Sequence, residues 1–289
     1  MAQVKVVTDS TSYLPADLIA SSGLEVVSLW INYPSGESQL ESDIQDLGAY
    51  WRELADLTEL PTTSQPAPGA FEECFEPLVA AGQDVVAVLI SAGISGTVGS
   101  AQTAADALKE RYPDRKIIIC DSRSGGGGLG MVALAAAAAA NAGLDADSVA
   151  ERTRRAVESN KIWFAVDTLE YLRRGGRIGG AQALVGGALK IKPILSIDGT
   201  IEPVERVRTS RRAFERMVAY AQELKDAGKT GWLVQHIQAE DEAARLIAAA
   251  QEVFGTPPIS VSEIGPVIGT HVGPGILGIG GLPPDLLEA

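Results

Sequence analysis

Hydroxyl groups gather in the stretch Ile90-Ser91-Ala92-Gly93-Ile94-Ser95-Gly96-Thr97. Ser91, Ser95 and Thr97 are neutral hydrogen-bond donors, and Gly93 and Gly96 let a ligand approach the main chain. An apolar run, Val85 to Leu89, precedes the stretch, and a helical pattern from Val98 to about Tyr112 follows it. The N–H groups that open a helix have no intrahelical partner and favour negative charge. Small residues and hydroxyls at a strand-to-helix junction thus suit an anion, at the place where open α/β sheets hold ligands. The plainer reading is a helix cap with turn glycines.

Other constellations are weaker. Gly93-Ile94-Ser95-Gly96-Thr97 misses the nucleophile-elbow pattern by one place, because Thr97 stands where the last glycine belongs. The chain has two histidines, His236 and His271, and either could activate a serine, though spacing gives no geometry for it. Gly125 to Gly130 satisfies the dinucleotide glycine pattern literally. It starts four residues after the strand-like run ends at Cys120 and lacks an acidic partner at the end of a following strand. Turn glycines and close helix packing explain it better. Gly228-Lys229-Thr230 resembles the end of a phosphate loop, but Glu223 occupies the first glycine position and a helix precedes it. Arg173, Arg174 and Arg177 stand out in an acidic chain. They read as a helix C-terminus with a glycine stop, or alternatively as an anion or docking site. No cluster of Asp, Glu and His has metal-ligand spacing, so neither metal nor cofactor is expected.

The elements that must position these groups alternate through the first half. Strands are expected at Val4–Val7, Leu24–Ile31, 85–90 and 116–120. Helices are expected at Pro15–Ser22, from Ser42 to about Leu57, from the Pro61–Pro68 loop to about Ala81, and from the glycine run through the alanine-rich block. This rhythm implies a parallel sheet covered on both faces. A helix at Asp147–Asn160 closes that half. A new strand starts at Lys161, so the boundary is placed between residues 1–160 and 161–289. In the second half Asp198-Gly199-Thr200 joins two strands as a hairpin. The helix Thr209–Ala227, strand 230–237, helix 239–254 and strand 259–264 follow, and a glycine-rich apolar tail runs from Pro266 to Gly281. A mixed sheet with helices mainly on one side is expected.

Of the 289 residues 46% are hydrophobic but only 5% aromatic, so Ala, Val, Ile, Leu and Gly must fill the core. The net charge of −13 argues against nucleic acid and against anionic membranes. Cys74 and Cys120 have no CxxC partner and read as buried thiols of a cytoplasmic protein. The alanine-rich block is too short for a membrane span.

Taken together, several of these segments resemble one family in order and spacing. They are Thr8-Asp9-Ser10-Thr11-Ser12, Thr63-Ser64-Gln65-Pro66, Ser91 to Thr97, and Asp121-Ser122 with its glycine run. Gly175-Gly176-Arg177-Ile178, Leu189-Lys190-Ile191-Lys192-Pro193-Ile194, Val207-Arg208-Thr209 and Gly265-Pro266-Val267-Ile268 with His271 complete the set. The chain is similar to DegV proteins, the family of the fatty-acid-binding subunits of bacterial fatty acid kinase, from about residue 3 to 280. The resemblance implies a two-domain α/β fold, with an N-terminal three-layer domain on a parallel sheet and a C-terminal domain on a mixed sheet. A long-chain fatty acid would lie between them. It also implies a non-catalytic role, in which the bound carboxylate is presented to the ATP-binding kinase subunit. Thr63 and Ser95 match the positions that hold the carboxylate, with Ser64 and Gly96 beside them. Arg208 and His271 match positions in its hydrogen-bond network. Ala92 stands where the family normally has another serine. The alternatives are a serine hydrolase using Ser95 and His271, and a sensor of another apolar anion.

Overall fold

The computed structural model describes residues 3–57, 59–185 and 191–289. Leu189 and Lys190, part of one family-like segment, lie outside the described residues. In chain order the first half runs β1 (Val4–Asp9), α1 (Ala16–Ser22), β2 (Glu25–Val27), β3 (Trp30–Asn32), β4 (Ser38–Leu40), α2 (Leu47–Asp56), β5 (Thr62–Ser64), α3 (Pro68–Ala80), β6 (Asp84–Leu89), α4 (Thr97–Arg111), β7 (Ile117–Asp121), α5 (Gly127–Asn141) and α6 (Ala146–Ser159). The second half runs β8 (Lys161–Ala165), α7 (Glu170–Arg174), β9 (Lys192–Asp198), β10 (Thr200–Val207), α8 (Ser210–Asp226), β11 (Gly231–His236), α9 (Glu240–Phe254), β12 (Ser260–Glu263), α10 (Pro266–Val272) and β13 (Leu277–Leu282).

The near-continuous apolar runs of β1 and β6 form the middle of an all-parallel sheet, ordered β2-β1-β6-β7. Sheets of this kind are buried on both faces. Here α3 and α4 cover one face through Phe71, Phe75 and Leu108. On the other, Val86 and Val88 meet α5 and α6. The expected strand Leu24–Ile31 is in fact two. Ser10 Oγ accepts the Leu29 N–H at 3.1 Å, and Leu29's carbonyl accepts from the Glu41 N–H at 2.9 Å. These bonds turn the chain between β2 and β3. β3 then joins β4 and β5 in a small antiparallel sheet. The proline-rich stretch after α2 therefore contains a strand, which fixes Thr63 opposite Ile31. Asp46, not Ser42, caps α2.

The second half forms a six-stranded mixed sheet, β10-β9-β8-β13-β11-β12. The Asp-Gly hairpin lies where expected, with Gly199 at φ +80°. One face packs on α8 and α9 around Met217, Trp232 and Phe254. The other face carries Leu233, against α5, and Phe164, in the cluster that includes α10's Val267. The tail, read only as glycine-rich and apolar, holds α10 and β13, and β13 is the strand between β8 and β11. Its glycines are there for clearance: a Cβ on Gly280 would stand 2.9 Å from the Lys161 carbonyl oxygen, and one on Gly281 2.5 Å from that of Lys229. Glycine is depleted in strands, so the pattern hides this one.

The alanine-rich helix is the common element. Every residue of α5 from Gly127 to Ala139 is buried. Small side chains let both sheets approach it closely, since Val86 and Val88 pack on one side and Leu233 and Leu282 on another, all in one apolar cluster.

Asp9 ends β1 and is fully buried. One carboxylate oxygen accepts the N–H and hydroxyl of Thr11, and the other accepts the Ile90 N–H at 2.7 Å. Asp9 thus ties β1 to the start of the hydroxyl-rich loop. Desolvation outweighs these bonds and raises its pKa from 3.8 to about 6. A raised pKa adds stability that is fully present below the unfolded value and lost as pH rises through the folded one. Measured against Asp9→Asn, the wild-type protein should lose about 3 kcal/mol between the two pKa values. Denaturant titrations at acid and neutral pH check this, and a difference that does not vary with pH would refute it.

Candidate functional site

A cavity opens between the loops of the parallel sheet and the inner face of the mixed sheet. Its empty volume is about 950 Å³ counted out to its mouth. Most of its wall is aliphatic, contributed by residues such as Ile90, Ile162, Ile264 and Ile276. Phe164 of β8, Gly278 of β13 and Gln235 of β11 are paired across neighbouring strands and form a row along its floor.

The polar groups collect at one end. Thr63, Ser64, Ser95, Gly96, Arg177 and His271 all line the cavity there. Thr63 comes from β5, Ser95 and Gly96 from the loop between β6 and α4, and His271 from α10. Each hydroxyl has a neighbour behind it. Thr63 Oγ1 lies 2.8 Å from His271 Nε2, and Ser95 Oγ lies 2.8 Å from Thr97 Oγ1. Ser64 Oγ is held by Asn32 Nδ2 at 2.7 Å. Gly96 leaves room for Gln65, whose side chain would stand 2.9 Å from a Cβ there. The cap residue of α4 is Gly96, and Ser95 Oγ accepts the Thr97 N–H at 3.3 Å, so the positive start of the helix lies beside Ser95.

His271 is fixed from several sides. Glu41 accepts the Val267 N–H at 2.7 Å and the Tyr13 hydroxyl at 2.8 Å, and Tyr13 Oη accepts the Ile268 N–H at 3.0 Å. Further along α10, Thr270 Oγ1 lies 2.6 Å from Tyr50 Oη, and Gly269 gives Trp51 its place, a Cβ there being 2.0 Å from the indole. Burial, aided by the charge of Arg177, lowers the His271 pKa to about 4. The ring is therefore neutral at pH 7. A depressed folded pKa contributes stability present above the unfolded value, and it is lost as pH falls through the folded one. With two histidines in the chain, imidazole NMR signals are simple to follow. One should titrate with a midpoint near 4, and this signal should vanish in His271→Gln. A midpoint at the ordinary histidine value for both rings would contradict the burial of this one.

Sequence reasoning placed some residues differently. Ser91 does not face the cavity; its hydroxyl donates to the Gly199 carbonyl at 2.6 Å. Arg208 follows β10, is exposed, and stands apart from the cavity lining. The cation at the polar end is Arg177, whose guanidinium donates to the Gly175 carbonyl at 2.7 Å. The glycine run at 125–127, read as turn and packing glycines, also lines the cavity. Gln235 was not singled out, because one glutamine in an apolar strand carries no motif. A shallower opening beside the polar end is rimmed by Gly93, Gly176, Arg177, Gly179 and Thr200. Elsewhere, His236, Glu240 and Glu263 converge with ligand atoms within 4.8 Å of one another, a grouping their spacing does not announce. Glu263 there already accepts from Trp51 Nε1 at 3.0 Å and from Gln238. Among the described residues no helix is long and apolar enough to cross a membrane.

A family model covers the fold almost end to end: the DegV family matches residues 3–283. The chain belongs to the DegV family. It is 42% identical over 278 residues to a DegV domain-containing protein of Clostridium perfringens, covering 96% of this chain and 97% of that one. Among solved structures it is similar to a DegV family protein of Thermus thermophilus described by its fatty acid binding, with 31% identity, a TM-score of 0.85, and coverage of 97% and 99% of the two chains. It is likewise similar to DegV of Bacillus subtilis, described as a fatty acid binding protein, with 32% identity, a TM-score of 0.84, and coverage of 97% and 99%. The DegV architecture of a parallel and a mixed sheet agrees with the fold described above.

Proposed function

We propose that this DegV protein binds a long-chain fatty acid in the cavity and presents its carboxylate to the ATP-binding subunit of a fatty acid kinase in the cytoplasm. The observation that carries this reading is the pair of hydroxyls at the polar end, each backed by its own donor. If His271 carries its proton on Nε2, it donates to Thr63 Oγ1, and the Thr63 hydroxyl is free to donate to the ligand. Nδ1, which has no partner among the described residues, is then the bare nitrogen. Thr97 can donate to Ser95 in the same way, leaving the Ser95 hydroxyl for the ligand. Two neutral donors, a helix start and Arg177 hold a carboxylate without attacking it. The long aliphatic wall suits an acyl chain. In this reading residues 1–160 supply the head-group loops, and residues 161–289 close over the chain.

The hydrolase reading fits less well. Among the described residues Ser95 has no histidine within hydrogen-bonding distance, since His271 is bonded to Thr63. Among the described residues no carboxylate orients the His271 Nδ1. Presentation to a kinase draws support from the shallow opening, where glycines and Arg177 leave room for a phosphate to approach the carboxylate.

Mass spectrometry of an organic extract of the purified protein should yield long-chain fatty acid in near-stoichiometric amount. Loaded protein with ATP and magnesium should give acyl phosphate only when a bacterial fatty acid kinase subunit is added. Absence of lipid, together with failure to bind added fatty acid, would refute the binding role. Binding without acyl phosphate in the complete mixture would refute presentation alone. Bound carboxylate should also raise the His271 midpoint from its unliganded position.

A further inference from the structure

Resting on the fatty-acid reading and narrowing it, we propose that the cavity selects an acyl chain bearing a hydroxyl group inward of its carboxylate, recognised by Gln235. Gln235 is 2% exposed and belongs to the floor row beside Gly278. Its amide nitrogen donates to Ser262 Oγ at 2.8 Å and to the Ser12 carbonyl at 3.4 Å. A carbonyl oxygen only accepts, so the Ser12 contact sets the amide with nitrogen toward Ser12 and oxygen away from it. That oxygen points at the glycine run: it lies 2.9 Å from where a Cβ on Gly126 would be and 3.1 Å from one on Gly127. Both glycines line the cavity. Among the described residues no donor reaches Gln235 Oε1. A plain hydrocarbon chain passing this point would leave a buried amide oxygen without a hydrogen bond, an expensive arrangement.

Donors stand beside this acceptor. Gly127 opens α5, a helix of 15 residues with no side-chain cap at Gly126. Its first N–H groups have no intrahelical partner. A hydroxyl matches both halves of the site, because its proton goes to Gln235 Oε1 and its oxygen accepts from the helix start. A keto or ether oxygen could use only the N–H groups. A second carboxylate would be set against the amide oxygen. The position along the chain follows from α10. Ile268 lies 3.3 Å from a Cβ placed on Gly125 and 3.9 Å from one on Gly126, and it precedes His271 by one helical turn. The hydroxyl therefore belongs about 5 Å or more inward from the carboxylate.

The test is competition between a fluorescent fatty acid and octadecanoic acid or each positional isomer of hydroxyoctadecanoic acid, on delipidated full-length protein. At least one isomer hydroxylated inward of the carboxylate should bind about tenfold or more tighter than octadecanoic acid, because a site built to hydrogen-bond a hydroxyl discriminates against the analogue lacking it. Gln235→Met should abolish that preference. If octadecanoic acid binds and no hydroxylated isomer surpasses it, the inference is overturned while the fatty-acid reading stands. If none of these acids binds, both fall. The wild-type comparison needs no variant, so a Gln235→Met protein that fails to fold does not blunt the test.

Discussion

Replacing Thr63 and Ser95 together by alanine should lower the affinity for a long-chain fatty acid by a factor on the order of 10² to 10⁴, with the protein still folded. The two hydroxyls come from different elements, β5 and the loop before α4, and both line the polar end of the cavity. A hydrogen bond to a charged group is worth roughly 1.5–3 kcal/mol, so removing two costs about 3–6 kcal/mol. Among the described residues Thr63, half-buried, bonds His271 Nε2 and Ser95 bonds its near neighbour Thr97, so the double variant gives up a few hydrogen bonds of the free protein and should remain folded at somewhat lower stability. Each single variant should fall between the wild type and the double variant. Isothermal titration on delipidated protein measures all four. A double variant within threefold of wild type would remove these residues from the carboxylate site.

The second large effect concerns the other end of the ligand. Gly278→Leu should abolish binding of long-chain acids while leaving the protein folded. The glycine sits in β13 between Phe164 and Gln235, in the row that floors the cavity. A Cβ there meets the Phe164 Cβ at 3.4 Å and backbone oxygens at 3.5 Å and 3.7 Å, which is ordinary contact. The β-carbon is therefore tolerated, and the rest of a leucine must project into the space the acyl chain would take. Filling even part of a narrow channel costs the contacts of every carbon beyond the block, at about 0.8 kcal/mol per methylene. Short-chain acids that end before the block should lose less. A binding series over chain length in wild type and variant reads this directly, and equal affinity for long chains in both would show that the chain takes another route.

Much of the framework was legible from periodicity alone. The apolar runs at Val4–Val7 and Val85–Leu89 read as strands of a parallel sheet, and the Asp198-Gly199 step marked the hairpin of the mixed sheet. Thr63, Ser95 and His271, proposed to hold the head group, were legible as members of an ordered set of segments, and all three line one cavity. What escaped had physical reasons. β13 is glycine-rich because its neighbours crowd it, and crowding by residues distant in sequence leaves no local signal. The β2–β3 break depends on Ser10, far from it in the chain. Arg208 was carried over by position along the chain, whereas the guanidinium at the cavity is that of Arg177, which read equally well as an ordinary helix-end cation. Gln235 became conspicuous only through the amide oxygen left over when Ser12 and Ser262 took its nitrogen.

The buried run of α5 has a consequence for how cargo could be exchanged. Many binding proteins load by swinging two lobes apart about a hinge. Here the helix from Gly127 to Ala139 is walled in by Val86 and Val88 from one sheet and by Leu233 and Leu282 from the other. Parting the lobes would wet the face of that helix that meets Leu233 and Leu282, while its packing on α6 and β1 stayed in place. Local breathing at the rim exposes less, and there the hairpin tip is tied by the Ser91 hydroxyl to the Gly199 carbonyl, by the Gly199 N–H to the Arg123 carbonyl at 2.7 Å and by Arg123 paired with Asp198. The residence time of a bound chain would then depend on how often these ties open together.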